Sequence, residues 1–215
     1  LLTADPGWHI NNHTLGSRTY TLNHNSDVVA YRNVTAVMSD TTLYVEFSRN
    51  LYTIDVTSTG NGTTTPGDNT VEFESDVTFT MTPDNGYHVA DVLVDGVSVG
   101  AVTTYTFDSV AANHTLNVTY EADVYTITAS ADPHGTITVA GDNEVAFGES
   151  INFTVVADDC YHISAILVDG VADSSLAGET VATYVMNNID TNHTVVAQFE
   201  INTYDVTVNT IGNGT

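Results

Sequence analysis

Tyr52-Thr-Ile-Asp-Val-Thr-Ser-Thr-Gly-Asn-Gly-Thr63 returns as Tyr125-Thr-Ile-Thr-Ala-Ser-Ala-Asp-Pro-His-Gly-Thr136 and again as Tyr204-Asp-Val-Thr-Val-Asn-Thr-Ile-Gly-Asn-Gly-Thr215, at offsets of 73 and 79 residues. Self-similarity on this scale marks a repeat architecture and governs everything read from the chain afterwards. Within each copy apolar and polar residues alternate. Tyr52, Ile54 and Val56 are set against Thr53, Asp55 and Thr57, and Tyr125, Ile127 and Ala129 against Thr126, Thr128 and Ser130. A period of two is that of a half-buried strand, so the apolar set is expected to face a core.

Further anchors keep the register. Gly86-Tyr-His88 matches Cys160-Tyr-His162 and Gly7-Trp-His9, and Leu93-Val-Asp-Gly96 matches Leu167-Val-Asp-Gly170. Asn113-His-Thr-Leu-Asn-Val-Thr-Tyr-Glu121 matches Asn192-His-Thr-Val-Val-Ala-Gln-Phe-Glu200, with Thr41-Thr-Leu-Tyr-Val-Glu-Phe47 as the version in the first repeat. Alternation predicts Val77, Phe79 and Met81 as inward-facing, with Ile151, Phe153 and Val155 as counterparts. The closing strand gives Leu116, Val118 and Tyr120, then Val195, Ala197 and Phe199, and in the first repeat Leu43, Val45 and Phe47. Asp95-Gly96 between valine-rich runs predicts a two-residue hairpin, because a type I′ turn needs positive φ at both central residues. With 35 threonines and 29 valines the composition is that of β-branched strands, and no segment of ten residues carries a helical period. The predicted fold is all-β: tandem small β-sandwich repeats of about 75 residues, Ig-like or β-grasp-like, with about seven short strands each. The expected domains are a truncated β-repeat (1–50), two complete ones (51–123 and 124–202) and the opening strand of a further repeat (203–215).

The chain has 215 residues with 3 basic and 27 acidic side chains, a formal net charge of −24. There is no lysine, and Arg18, Arg32 and Arg49 all precede position 50. Phosphate neutralisation needs lysine or arginine, so no nucleic-acid partner is expected, and anchoring to anionic lipid is disfavoured. No apolar run approaches the roughly 18 to 20 residues that span a bilayer, so no membrane insertion is expected. A single cysteine, Cys160, allows neither an intrachain disulfide nor a paired-cysteine zinc site. The sequence opens on Leu1 without a signal peptide and is read as a mature product or a window of a longer chain.

At these residues the chain resembles the divergent internalin B-repeat and bacterial-repeat modules found in tandem in large secreted and surface proteins. The resemblance is carried by Tyr-Thr-Ile, a Gly-Thr hairpin, Gly-Tyr-His, Val-Asp-Gly, Thr104-Tyr-Thr-Phe107 and Asn-His-Thr before a strand ending in an aromatic residue and Glu. It implies modules that serve as spacers, stalks or adhesive segments, with no general catalytic function. The chain departs from the commoner pattern where Val92 and Ile166 stand in place of a tryptophan, and where Cys160 replaces the glycine of Gly-Tyr-His.

Candidate chemistry is thin. Five of the eight histidines, His9, His88, His162, His114 and His193, recur at repeat-equivalent places, which favours a structural or turn-capping role over metal binding. No His-Glu-x-x-His or Gly-x-Ser-x-Gly pattern is present, and no pair of catalytic carboxylates stands out, so no enzyme activity is expected. Cys160 follows Asp158 and Asp159, which disfavour a thiolate, and is read as a buried or turn thiol. No cofactor is expected. The acidic turn pairs Asp68-Asn69, Asp84-Asn85, Asp142-Asn143 and Asp158-Asp159 allow at most weak calcium binding, since such residues also favour turns for backbone reasons. Candidate N-glycosylation acceptors are Asn12, Asn33, Asn61, Asn113, Asn117, Asn152, Asn192 and Asn213, with Asn117 and Asn152 on outward phases of their strands. Glycans are a further candidate partner, but most aromatics fall on core phases, leaving Tyr44, Tyr87, Tyr105, Tyr161 and Tyr184 as ambiguous positions.

Aligning Trp8 with Tyr87 sets Leu1 opposite Thr80, inside a repeat, while 203–215 corresponds to 51–63. Two explanations are open: truncation of a longer tandem array, or donation of the strand bearing Tyr204, Val206 and Val208 to the first module of a neighbouring copy. The second gives head-to-tail self-association. The expected function is that of a non-enzymatic extracellular structural protein at the cell surface, a segment of a stalk, fibre or filament. The alternative is an adhesin segment or a carbohydrate-binding accessory module of a larger secreted protein.

Overall fold

The alternation read from the sequence becomes strand throughout, and no helix occurs among the described residues. The computed structural model describes residues 2–15, 18–26, 28–29, 42–209 and 211–212. The first fifty residues supply β1 (Leu2–Thr3), β2 (Trp8–Leu15), β3 (Arg18–Ser26), β4 (Val28–Val29) and β5 (Leu43–Arg49). The next repeat supplies β6 (Leu51–Thr59), β7 (Gly62–Thr65), β8 (Asn69–Glu72), β9 (Val77–Pro83), β10 (Tyr87–Val94), β11 (Val97–Gly100), β12 (Thr104–Phe107) and β13 (His114–Ala122). The last supplies β14 (Val124–Ala131), β15 (Gly135–Ile137), β16 (Gly141–Ala146), β17 (Ile151–Ala157), β18 (Tyr161–Val168), β19 (Val171–Asp173), β20 (Val181–Met186) and β21 (His193–Ile201). Each complete repeat thus has eight strands where about seven were expected, because strands as short as β7 or β15 hold too few residues for an alternation to register.

The two complete repeats share one topology. A five-stranded sheet runs β11-β10-β13-β6-β8 in one and β19-β18-β21-β14-β16 in the other, and a three-stranded sheet runs β12-β9-β7 and β20-β17-β15. At the centre of each larger sheet the first and last strands of the repeat lie side by side and parallel, with Val56 opposite Leu116 and Ala129 opposite Val195. A parallel central pair fits the grasp-like topology left open by the sequence better than two wholly antiparallel sheets. The core lies between the two sheets. In the second repeat, fully buried Ile54, Val92 and Leu116 from the larger sheet meet Phe79 and Met81 from the smaller. In the third, Ile127, Ile163, Ile166 and Val195 meet Phe153 and Val155. Burying one side chain such as Phe153 contributes about 1.5–3 kcal/mol.

The turns follow from their residues. Asp95 and Gly96 have φ of 50° and 80°, and Asp169 and Gly170 have 50° and 81°, the double positive φ of the type I′ turn that the sequence predicted. Shortly after the Gly-Tyr-His position the strand slips register, between Ile10 and Asn12 in β2 and between Ile163 and Ala165 in β18. Such a bulge re-aims the side chains beyond it. Val92 and Ile166, the departures from the tryptophan of the commoner pattern, are both fully buried.

The chain divides into two compact units, residues 1–121 and 122–215. In the first, β3-β2-β5 forms a three-stranded sheet with β5 at its edge. Phe47, expected to face inward, is 41% exposed, and Tyr44 is 67% exposed. The reason lies in β5: its counterpart β13 has neighbours on both sides, β10 and β6, whereas β5 is paired with β2 alone among the described residues. Of the other inward expectations on this strand, Val45 is half-buried and the side chain of Leu43 lies outside the described residues.

Candidate functional site

The hairpin aspartates act on the strand that closes their own repeat. Asp95 accepts a bond from His114 Nδ1 to Oδ2 at 2.7 Å and from the Thr115 amide to Oδ1 at 2.9 Å, and its own amide donates to the Thr115 carbonyl. Asp169 does the same with His193 at 2.6 Å and Thr194 at 2.8 Å. A carboxylate only accepts, so Nδ1 of each imidazole carries the proton toward it. The His114 bond first, then the Thr115 amide, holds the Asp95 carboxyl below the usual carboxylate range, and His193 and Thr194 do so for Asp169. The preceding asparagines cap the opening strand: Asn113 Oδ1 accepts the Thr53 amide at 2.9 Å, and Asn192 Oδ1 the Thr126 amide at 2.8 Å.

A second recurrent arrangement stands at the end of each closing strand. Asn50, the single residue between β5 and β6, donates its amide to the Gly7 carbonyl at 2.7 Å, bonds His9 Nδ1 through Oδ1 at 2.9 Å, and accepts the Phe73 amide at 2.8 Å. The Phe73 ring rests on the bare α-carbon of Gly7, where an added Cβ would collide with it. Arg49 stacks over the Trp8 ring at 5.5 Å and approaches Glu72 at 3.9 Å. In the third repeat Asn202 donates to the Cys160 carbonyl at 2.8 Å and bonds His162 at 2.9 Å. His9, His162, His114 and His193 are therefore structural ties, as their repetition suggested. The signal that named their partners was available too, since Asn50 and Asn202 recur directly after the closing strand.

The other predicted positions scatter. Asn61, Asn113, Asn152 and Asn192 are exposed; Asn117 is half-buried, accepting the Thr57 hydroxyl at 2.6 Å; and Asn12 donates to Glu46. Asn33 and Asn213 lie outside the described residues. In the acidic turns Asp68 Oδ1 accepts the Val56 amide at 2.7 Å, and Asp142 Oδ1 the Thr128 hydroxyl at 2.7 Å, so these carboxylates serve their own backbone and neighbours. Among the described residues no three His, Cys, Asp or Glu side chains converge on a metal-sized site. Cys160 is exposed in a turn with φ of 69°, matching 78° at Gly7 and 77° at Gly86. Of the ambiguous tyrosines, Tyr44 is exposed and Tyr87, Tyr105, Tyr161 and Tyr184 are half-buried, Tyr161 stacked on His134 at 4.0 Å. Burial, reinforced by the charge of Asp173, pushes the Tyr184 phenol up.

Residues 203–209, expected as an opening strand, form no strand, and Tyr204, Val206 and Val208 are 80%, 86% and 78% exposed. In the complete repeats the opening strand is held by strands that follow it in the chain, β8 and β13 for β6. No such strands follow residue 203 among the described residues, so its backbone has no ladder to join.

The family described as divergent InlB B-repeat domain matches residues 52–124 and 125–203. No curated protein sequence matches the chain. Among solved structures the I9–I11 tandem of titin is aligned over 88% of this chain and 88% of its own, at 8% identity and a TM-score of 0.17, a similarity too low for any structural conclusion.

Proposed function

Because the chain belongs to the divergent InlB B-repeat family, tandem modules typical of secreted and cell-surface proteins, we propose that it is a structural segment of an extracellular stalk or filament whose copies join head to tail by strand donation. The observation that carries this reading is a complementary pair of incomplete elements. Among the described residues, no strand lies on the edge of β5 where β6 lies beside β13, and residues 203–209, which repeat the β6 sequence, pair with no strand. A segment with 80–86% exposed Tyr204 and Val206 is costly in water, whereas paired parallel to β5 of another copy it gains a ladder and covers Phe47. The β6 register, Val56 opposite Leu116, transfers to Val208 opposite Leu43. A contact between two different surfaces of one chain does not close on itself, so it propagates.

The surface suits such a role outside the cell. Threonine, serine and asparagine hydrate the sheets in place of lysine, and glycans are carried at exposed Asn61, Asn113, Asn152 and Asn192 where the source organism adds them. Sedimentation of the purified chain over a concentration series tests the assembly. Mass should rise with concentration, and Val206→Asp should abolish the rise. A chain that stays monomeric at the highest soluble concentration overturns strand donation.

A further inference from the structure

The third repeat ends on a set of groups that, in the first repeat, is already occupied. At the first junction Asn50 is tied to Gly7 and His9, and its carbonyl receives the Phe73 amide while the Phe73 ring covers Gly7. At the end of the third repeat the same ties are formed, Asn202 to Cys160 and His162. A cavity lies beside them, lined by His162, Gly178, Thr180, Asn202, Thr203 and Tyr204. One element differs. The φ of 69° at Cys160 keeps the backbone of the glycine position, but its Cβ stands where the counterpart Cβ at Gly7 would run into the Phe73 ring.

The sequence shows the same division. Repeats that begin after Asn50 and Asp123 carry phenylalanine at Phe73 and Phe147, and the repeats preceding them carry glycine at Gly7 and Gly86. Where cysteine replaces glycine, a phenylalanine cannot seat as Phe73 does unless its ring or the backbone shifts, because close-packed atoms tolerate no such overlap.

We infer that the end of the third repeat is a preformed seat for an incoming module, and that Cys160 makes it refuse modules bearing phenylalanine at the Phe73 position. Its occupant is a module of this family that carries no aromatic ring at the position of Phe73. The exclusion of phenylalanine stands independently of the head-to-tail reading. A device of this kind selects among incoming modules by steric rejection.

The test retains residues 1–202 and replaces 203–215 with a second copy of 51–123, whose core cluster lies wholly within the graft. Amide hydrogen exchange at the grafted copy of Phe73 is compared with that of native Phe73 in the same chain. Exchange at the grafted copy of Phe79 reports that the graft is folded. With Cys160 present, the grafted Phe73 amide should exchange at least about tenfold faster than the native one. Cys160→Gly should bring the two rates together, and so should Phe73→Val in the graft alone. Equal protection with Cys160 and phenylalanine both present overturns the inference, as does fast exchange that persists in Cys160→Gly. Neither result depends on whether free copies associate, so failure here is distinct from failure of strand donation.

Discussion

His114 Nδ1 lies 2.7 Å from Asp95 Oδ2, tying the turn of one hairpin to the first residue of the strand that closes the repeat. His193 and Asp169 reproduce the contact at 2.6 Å in the next repeat. The folded-state pKa of each aspartate lies below its unfolded value near 3.8, so each contributes stability that is fully present above that value and lost as pH falls through the folded pKa. Thermal unfolding followed from about pH 6 down to about pH 2 should show an acid decline that is shallower in Asp95→Asn with Asp169→Asn than in the parent chain. An unchanged decline in the double variant would assign acid sensitivity to other carboxylates. Because both aspartates are half exposed, solvent screening keeps the effect small.

Gly135 lies directly beneath the Phe199 ring, as Gly62 lies beneath Tyr120, and a Cβ at either place collides with the ring. Gly135→Ala is expected to destabilise the third repeat by about 1–3 kcal/mol through overpacking. Gly67, with open space around its Cβ direction and an ordinary φ, provides the control, where alanine is neutral or stabilising by about 0.4–1 kcal/mol. Denaturant unfolding of the two variants checks both expectations, and equal midpoints would refute the packing argument.

Cys160 holds a left-handed backbone that costs an L-residue about 1–2 kcal/mol. Glycine removes that cost while adding entropy to the unfolded chain, leaving a net stabilisation of roughly 0.5–1 kcal/mol for Cys160→Gly. A raised denaturant midpoint is the expected result. A lowered one would mean that the cysteine side chain contributes packing that outweighs its strain.

Glycosylation at the exposed sequons has a simple readout. The bare chain weighs 22.9 kDa, and material from a glycosylating source should exceed it by whole sugar residues. Peptide mapping should then place sugars on Asn61 or Asn152, both exposed, before Asn12, whose amide is engaged by Glu46. Occupancy of Asn12 with Asn61 and Asn152 bare would contradict the ordering.

Much of the fold was legible because the repeats checked one another. Ile54 and Ile127, Phe79 and Phe153, and Leu116 and Val195 fall on the same phase of the alternation, and all are fully buried. The Asp-Gly turns were readable because few residues take two successive positive φ values cheaply. What the sequence withheld was pairing between distant strands. Nothing local in Ile54 or His114 says that their strands lie parallel at the centre of one sheet. Phe47 has the right phase, but its strand is paired on one side alone among the described residues, so alternation alone misplaced it. The junction at Gly7 and Phe73 was equally hidden, since it joins residues far apart that carry no motif, and the departure at Cys160 gained meaning only once the ring over Gly7 was seen.

Electron microscopy of the native chain at high concentration, beside Val206→Asp, tests the central claim most directly. The head-to-tail account predicts regular filaments with an axial repeat matching two to three modules, and their loss in the variant. Isolated beads in the parent chain, or filaments that persist unchanged in Val206→Asp, would contradict it.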